Sequence, residues 1–188
     1  KKYLMQIAIT GNIGSGKSEA IKFLTKLQFK CISSDKIISD FYNNLEIRTN
    51  ILDRLNINQK NYKKEILKKL PDEKFNRKLK KIIYPKLYAK RKLITPKYDI
   101  HKPVFFEIPL LFEEKLSQSF DLIIFIQSDI NKRKERVLKR GVTSEYFKLM
   151  DGKQINQNTK YILSDYTIQN NSSILNLRLN IIKLLNIL

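Results

Sequence analysis

Short apolar runs alternate with segments of helical periodicity along most of the chain. The strand-like runs cover residues 4–10, 29–34, 101–108 and 121–127, and residues 161–171 end in a further short strand. Segments such as 19–27 and 174–188 place apolar residues three or four positions apart, which is typical of helices. This alternation predicts an α/β fold in three layers, with a parallel five-stranded sheet between helices. A chain of 188 residues is long enough for one domain with a well-buried core.

The pattern becomes helical and basic between about residues 45 and 100. Apolar residues at helical spacing form stripes in segments 47–55, 62–70 and 75–83. The Tyr84-Pro85 step should interrupt the last helix, because a residue before proline avoids the helical conformation. Since this region breaks the alternation of strands and helices, we interpret it as a helical subdomain inserted into a core of residues 1–44 and 101–188. The alternative, an ordinary run of crossover helices, would require a far shorter segment.

A glycine-rich stretch follows the first predicted strand and fits the pattern G-x-x-x-x-G-K-[ST]. It consists of Gly11, Asn12, Ile13, Gly14, Ser15, Gly16, Lys17 and Ser18. In such a loop the backbone N–H groups and the start of the next helix surround phosphate groups. Lys17 would reach the β- and γ-phosphates of a nucleotide, and the Ser18 hydroxyl would hold Mg²⁺. An incidental glycine-rich turn is the alternative, and the strand before and the helix after the stretch argue against it.

Two acidic residues come at the ends of predicted strands. Asp35 follows the second strand, where a carboxylate lies beside the crevice in which α/β sheets bind ligands and can accept a proton from an attacking hydroxyl. A helix N-cap is an equally good interpretation of Asp35. Glu107 ends the third strand and could hold a water of the Mg²⁺ shell. A capping or loop role for Glu107 stays open.

Three arginines share a spacing of three and four residues in a helix expected to run to about Arg140. They are Arg133, Arg136 and Arg140. Arginines that converge on a triphosphate would neutralise the charge of the γ-phosphoryl group during its transfer, whereas an exposed basic face is the alternative. Gly141 ends this helix and Val142-Thr143-Ser144-Glu145 begins the next. The resulting hairpin predicts a lid over about residues 136–160 that excludes water.

Composition adds charge and compartment to this picture. Lys and Arg number 37 against 18 Asp and Glu, a net charge of +19. The lysines are scattered on polar helix positions, which favours a solvated surface over a nucleic-acid interface. Cys31 is the only cysteine, so no internal disulfide is expected, and no apolar run approaches the roughly 18 residues of a membrane span. We therefore expect a cytoplasmic protein with no nucleic-acid or membrane partner, and we assign no chemistry to His101.

Several landmarks occur in one characteristic order along the chain. They are Gly11 to Ser18, Asp35, Tyr84-Pro85, Pro109-Leu110-Leu111-Phe112-Glu113, Arg136 with Arg140, Val142-Thr143, Gln154, Asp165 and Asn170. This set resembles the dephospho-coenzyme A kinase family over essentially the whole chain, and the P-L-L-F-E stretch is its most specific part. The resemblance implies a P-loop kinase fold and the transfer of the γ-phosphoryl of ATP, with Mg²⁺, to the ribose 3′-hydroxyl of dephospho-coenzyme A.

The resemblance also implies roles for individual residues. Asp35 looks like the catalytic acid of the family, working with Lys17, Arg136 and Arg140, and the ATP site would comprise the loop with Arg140 and Asn170. The acceptor site would comprise Asp35, Tyr84, Glu107, Pro109, Leu110, Leu111 and Glu113. The inserted subdomain would bind the coenzyme, and the segment around Gln154 would belong to the lid. We expect no tightly bound organic cofactor, and we expect a monomer, with a homo-oligomer left open.

The chain departs from the family pattern at four positions. Ser33 stands where many members carry an acid, Tyr84 where they often carry histidine, Lys160 where the lid has arginine, and Gln169 where an acid usually precedes Asn170. These departures concern substrate affinity and lid contacts more than the reaction. A kinase acting on a nucleoside monophosphate or a sugar alcohol is the nearest alternative. A GTP-dependent switch is disfavoured because Asn131-Lys132-Arg133-Lys134 lacks the acid of the N-K-x-D motif.

Overall fold

The computed structural model describes residues 4–94 and 101–188. The elements, in chain order, are β1 (Gln6–Thr10), α1 (Lys17–Lys26), β2 (Lys30–Ser33), α2 (Ser34–Asn43), α3 (Leu45–Leu55), α4 (Tyr62–Lys69), α5 (Glu73–Ile94), β3 (Val104–Glu107), β4 (Leu122–Gln127), α6 (Ile130–Leu138), α7 (Ser144–Gly152), α8 (Gln157–Ile162), β5 (Tyr166–Gln169) and α9 (Ile174–Leu185). They form two compact units, one of residues 1–33 and 98–188 and one of residues 34–97. The expected end of the insertion near residue 100 lies outside the described residues.

The first unit is built on a sheet of five parallel strands in the order β2-β3-β1-β4-β5. The predicted fold class is therefore confirmed. In the register of this sheet, Glu107 lies between Ser33 of β2 and Ile9 of β1. Because β1 ends one residue later at Thr10, the glycine-rich loop and Glu107 leave the sheet at the same edge.

One face of the sheet is covered by α1 and α9. Every second residue of the strands points to this face, and the helices meet it with their buried positions. The strand residues are Ile7, Ile9, Phe105, Ile124, Ile126 and Ile168, and the helix residues are Ala20, Leu24, Leu177, Ile181 and Leu184. This packing fixes α1, and with it the start of the helix that follows the loop.

The segment between β4 and β5 contains three helices rather than the two expected. α6 ends at Leu138, two residues before the predicted end, and Gly141 has a φ of +79°. Thr143 caps α7 by accepting a hydrogen bond from the Tyr146 N–H, as its position before Ser144 suggests. The short helix α8 was not predicted.

The second unit is helical. Its buried apolar residues lie on α2, α3 and α5, with one between α3 and α4, and they are Ile37, Phe41, Ile51, Leu52, Leu55, Ile57, Ile82, Ile83 and Leu87. The ring of Tyr42 stacks on that of Tyr62 with centroids 5.7 Å apart. The interpretation of residues 45–100 as a substrate-binding insertion stays a prediction.

The prediction that Tyr84-Pro85 interrupts a helix is wrong, because α5 runs continuously from Glu73 to Ile94 with Pro85 inside it. A proline in a helix interior costs about 3 kcal/mol through the lost N–H and a clash with the preceding turn. Ile82 and Ile83 before the proline and Leu87 after it are all buried. Burial of this continuous apolar face offsets the cost, so tertiary packing overrides the local preference.

Candidate active site

The glycine-rich loop adopts a backbone conformation that residues with a side chain could not adopt at Gly14 and Gly16. Gly14 has a φ of +77°, and a Cβ on it would lie 2.5 Å from the carbonyl oxygen of Arg133. Gly16 has a φ of +108°, and a Cβ there would lie 2.3 Å from Nδ2 of Asn170. Both glycines are therefore required by positive φ and by close approach. The loop is packed directly against α6 and the turn after β5.

Lys17 is the first residue of α1, and its side chain folds back over the loop. Its Nζ donates to the carbonyl oxygens of Gly11 at 2.9 Å and of Asn12 at 3.1 Å. The residue is buried, with 8% of its surface exposed. A buried ammonium held in this way places a positive charge at the loop, and this charge would stabilise a bound phosphate group.

Ser18 follows Lys17 and connects the loop to the sheet. Its hydroxyl donates to Oε1 of Glu107 at 2.9 Å, and Glu107 is buried at the end of β3. A hydroxyl oxygen beside a carboxylate is an oxygen donor set of the kind that Mg²⁺ prefers. The two side chains therefore fit the predicted magnesium role.

Arg133 of α6 contacts the loop at Ile13. Its Nε donates to the carbonyl oxygen of Ser128 at 3.0 Å, and its Nη1 donates to that of Ile13 at 3.3 Å. The same Nη1 forms an ion pair with Asp151 of α7, and the guanidinium lies 5.7 Å from the ring centroid of Phe147. The side chain is buried, and its bonds connect the loop at Ile13 to α7 at Asp151.

Arg136 and Asn170 contact the loop at Gly14 and Ser15. Nη2 of Arg136 donates to the Asn170 carbonyl at 2.8 Å, and its Nη1 donates to the Ser128 hydroxyl at 3.1 Å. Nδ2 of Asn170 donates to the Ser15 carbonyl at 2.7 Å, and a weaker bond of 3.4 Å joins Arg136 to the Gly14 carbonyl. Burial, with Arg140 close by, lowers the pKa of Arg136. The predicted arginine thus lies at the loop.

Arg140 is placed differently from the other two arginines. Because α6 ends at Leu138, Arg140 lies in the following turn, where its N–H bonds to the Val137 carbonyl. Its side chain is exposed. The prediction that one helical face carries all three arginines is therefore wrong for Arg140, which lies beyond the helix. Arg140 is still close enough to Arg136 for its charge to contribute to the lowered pKa of Arg136. A role for Arg140 in binding ATP stays a prediction.

A segment of residues 151–155, which we call the strap, joins the loop to the P-L-L-F-E stretch. Oε1 of Gln154 accepts from the Ile13 N–H at 2.7 Å, and Nε2 of Gln154 donates to the Pro109 carbonyl at 3.3 Å. The Ile155 N–H donates to Oε1 of Glu113 at 3.0 Å. The strap therefore contacts both the expected phosphate site and the expected acceptor segment.

Comparison with known proteins identifies the family of this chain. The model of the CoaE family, dephospho-CoA kinase, matches residues 5–176. The chain belongs to the dephospho-CoA kinase family. A dephospho-CoA kinase of Rickettsia typhi is 30% identical over 185 residues, covering 97% of this chain and 96% of that protein. One of Aquifex aeolicus is 31% identical over 181 residues, covering 91% of each. The family predicted from the sequence is confirmed.

Solved structures show the same relationship. A dephospho-CoA kinase from Campylobacter jejuni superposes with a TM-score of 0.65 at 27% identity, covering 96% of this chain and 95% of that one. A Thermus thermophilus protein gives a TM-score of 0.84 at 21% identity and covers 100% of this chain and 99% of that one. A shikimate kinase from Acinetobacter baumannii gives 0.57 at 12% identity, covering 98% and 94%. The last two likenesses establish the shared fold alone.

One departure from the pattern of dephospho-CoA kinases can be located in the core of the first unit. Lys160 has no exposed surface, and its Nζ forms an ion pair with Oε1 of Glu113 at 2.9 Å. Burial lowers the pKa of Lys160, and the carboxylate beside it opposes that shift. The lysine therefore maintains a charged contact between α8 and the P-L-L-F-E stretch.

Other residues predicted for the acceptor site of the kinase differ in exposure. Pro109 and Leu110 are half-buried, whereas Leu111 is fully buried. The Leu111 carbonyl accepts from the Leu116 N–H in the turn that follows. We therefore expect Leu111 to position this turn, and contacts of Pro109 and Leu110 with an acceptor stay predictions.

Asp35 and Tyr84 belong to the second unit. Asp35 is the second residue of α2, because the helix begins at Ser34 and not after residue 35 as expected. It therefore lies in a first helical turn, where a carboxylate is favoured by the helix dipole, and its side chain is exposed. The ring of Tyr84 lies edge-on to that of Tyr88, with centroids 6.2 Å apart. Their roles stay predictions.

Sequence reasoning missed part of what holds the loop. Asp151 gave no signal, because a lone acid in a helix is usually solvated. Ser128 was expected only as a helix cap, yet its fully buried hydroxyl donates to the Asn170 carbonyl at 2.8 Å. Arg133 was visible only through its spacing from Arg136. These contacts join residues that are far apart in the sequence.

Proposed function

We propose that this chain transfers the γ-phosphoryl group of ATP to the ribose 3′-hydroxyl of dephospho-CoA, giving CoA and ADP as the last step of CoA biosynthesis. The observation that carries the proposal is the loop itself. Lys17 folds back over the loop and Ser18 donates to Glu107, in a chain that matches the dephospho-CoA kinase family over residues 5–176. A loop of this kind binds the phosphates that a kinase must orient.

On the donor side, the backbone N–H groups of the loop and the start of α1 would bind the β- and γ-phosphates. Lys17 would exchange its bonds with the Gly11 and Asn12 carbonyls for phosphate oxygens, which carry full negative charge. The Ser18 hydroxyl and Glu107, directly or through water, would hold Mg²⁺. When bound, this ion supplies charge neutralisation on the phosphate oxygens.

On the acceptor side, Asp35 would take the proton of the ribose 3′-hydroxyl. The hydroxyl oxygen forms a bond to the γ-phosphorus as the bond from that phosphorus to the bridging oxygen breaks, so ADP leaves with both bonding electrons. An exposed carboxylate within reach of an incoming hydroxyl suits this role. Tyr84, Glu107 and the segment Pro109 to Glu113 would bind the rest of the acceptor.

Arg136 and Arg140 would supply positive charge near the transferring group. Because Arg136 is bonded to Asn170 and to the loop, its guanidinium is oriented before ATP arrives, and such preorganised charge costs no rearrangement during reaction. The side chain of Arg140 is exposed, and it would approach the transferring group when the predicted lid closes. Closure of this lid would keep water from the γ-phosphate.

We also infer the partners, the oligomeric state and the compartment of the enzyme. Its partners would be ATP, Mg²⁺ and dephospho-CoA, with no nucleic acid, and it would act as a monomer in the cytoplasm. The described helices, in residues 4–94 and 101–188, include none that is both long and apolar enough to cross a membrane.

A coupled ADP-release assay with several acceptors tests the proposal. We expect turnover with dephospho-CoA and none above background with nucleoside monophosphates or sugar alcohols. Phosphorus NMR of the product should show a new monoester on the ribose 3′-oxygen. Turnover with a nucleoside monophosphate and none with dephospho-CoA would overturn the proposed function.

A further inference from the structure

The side chain of Gln154 makes two hydrogen bonds to two different loops. Its Oε1 lies 2.7 Å from the Ile13 N–H, and its Nε2 lies 3.3 Å from the Pro109 carbonyl. One partner is a pure donor and the other a pure acceptor, so the orientation of the amide is fixed by the backbone that it meets. A single planar group therefore connects the phosphate-binding loop to the acceptor segment.

The neighbouring contacts restrain the strap on both sides of Gln154. Asp151 is held by the buried Arg133, and the Ile155 N–H is held by Glu113. Weaker bonds of 3.4 Å run from Nδ2 of Asn12 to Oδ1 of Asp151 and to the Ile155 carbonyl. Because both ends of the strap are bonded, Gln154 has little freedom to follow a movement of one loop without the other.

We propose that Gln154 is a positioning residue that couples the binding of ATP to the binding of the acceptor. This inference rests on the proposed function. A phosphate that settles in the loop shifts the backbone at Ile13, and the amide of Gln154 transmits the shift to Pro109. By linkage, the acceptor then changes the affinity for ATP by the same factor as ATP changes the affinity for the acceptor.

Glutamine is the residue type that this position requires. Glutamate at 154 would keep an acceptor for the Ile13 N–H but would turn a second oxygen toward the Pro109 carbonyl. Methionine would keep the length of the side chain and lose both bonds. The two variants therefore separate the bond to the loop from the connection between the loops.

The test measures the affinity for a non-hydrolysable ATP analogue by calorimetry, with and without saturating dephospho-CoA. We expect the acceptor to change the affinity of the wild-type protein by at least about fivefold. In Gln154→Met and Gln154→Glu this factor should fall to about one, with kcat reduced roughly tenfold and the affinity for each substrate alone changed less than about threefold. Gln118→Met, at an exposed glutamine in the turn after the acceptor segment, is the matched control and should behave as wild type.

Three results would overturn the inference. They are a wild-type protein without coupling, a Gln154→Glu variant with wild-type coupling, or a parallel loss of both separate affinities, which indicates a purely structural role. Thermal unfolding of each variant checks the fold, and Gln154→Glu alone decides if Gln154→Met does not fold. Failure of the wild-type enzyme to phosphorylate dephospho-CoA would count against the proposed function instead, so the two failures are distinguishable.

Discussion

The hydroxyl of Ser18 donates a hydrogen bond to Oε1 of Glu107 at 2.9 Å. This bond joins the start of α1 to the end of β3, the strand that pairs with both β1 and β2. The two residues are 89 positions apart in the sequence. This contact joins the phosphate-binding loop to the middle of the sheet, where the predicted Mg²⁺ site would lie.

Replacing Glu107 with glutamine tests this contact. Glu107→Gln keeps an acceptor for the Ser18 hydroxyl but removes the negative charge, so Mg²⁺ should bind less well. We expect the Mg²⁺ concentration for half-maximal rate to rise about 10- to 100-fold, as for other outer ligands of metal sites. Initial rates measured against Mg²⁺ at saturating ATP check this.

The matched control for this experiment is Glu145→Gln, at an exposed acid in the first turn of α7. It removes the same charge away from the loop and should leave the Mg²⁺ dependence unchanged. A Glu107→Gln enzyme with the Mg²⁺ dependence of the wild type would contradict the metal role of this carboxylate.

Lys17→Ala should lose turnover and ATP affinity together, because Lys17 is expected to contact phosphate in both the ground state and the transition state. Loss of one bond to a charged group predicts ATP binding roughly 10- to 100-fold weaker. Calorimetry with ATP and a steady-state assay give the two quantities. Lys22→Ala, at an exposed lysine on α1 paired with Glu19, is the control. Unchanged ATP affinity in Lys17→Ala would refute the assigned contact.

Asp35→Asn should lose turnover and keep ATP binding, because an amide cannot accept the proton of the acceptor hydroxyl. A general base contributes typically 10²- to 10⁴-fold, so we expect kcat to fall by about that factor. Rapid-quench turnover and ATP calorimetry measure the two effects. Asp40→Asn changes an exposed acid on the same helix and should be neutral. Near-normal turnover of Asp35→Asn would remove this residue from catalysis.

Lys160→Met should destabilise the fold, because it leaves the carboxylate of Glu113 buried without its cation. Breaking a buried pair from one side costs about 3–5 kcal/mol of unfolding free energy. The double variant Lys160→Met with Glu113→Gln removes both charges and still offers an acceptor to the Ile155 N–H, so it should recover most of that loss. Urea unfolding of the two single variants and the double variant gives the coupling. Additive losses would show that the pair contributes nothing.

The local elements follow from the sequence because their causes are local. The spacing Gly11 to Ser18, between an apolar run and a helical pattern, was sufficient to predict strand, loop and helix, and the structure has β1, the loop and α1 in that order. The alternation of runs was likewise sufficient for a five-stranded parallel sheet. Side-chain periodicity and glycine conformation act over a few residues, so a linear pattern records them.

Tertiary packing decided the rest. Helix α5 continues through Pro85 because Ile82, Ile83 and Leu87 are buried. The local preference of a residue before proline takes no account of such burial. The structure also differs from the sequence prediction in the start of α2 at Ser34, the early end of α6 and the additional helix α8.

The contacts that hold the candidate site were beyond prediction for a different reason. Gln154 meets Ile13 across 141 positions, and Asn170 meets Ser15 across 155. The sequence alone determined that a phosphate-binding loop exists, since its backbone geometry is set by its own glycines. Only the tertiary structure determined which side chains fix that loop, because hydrogen bonds between distant residues depend on how strands and helices pack.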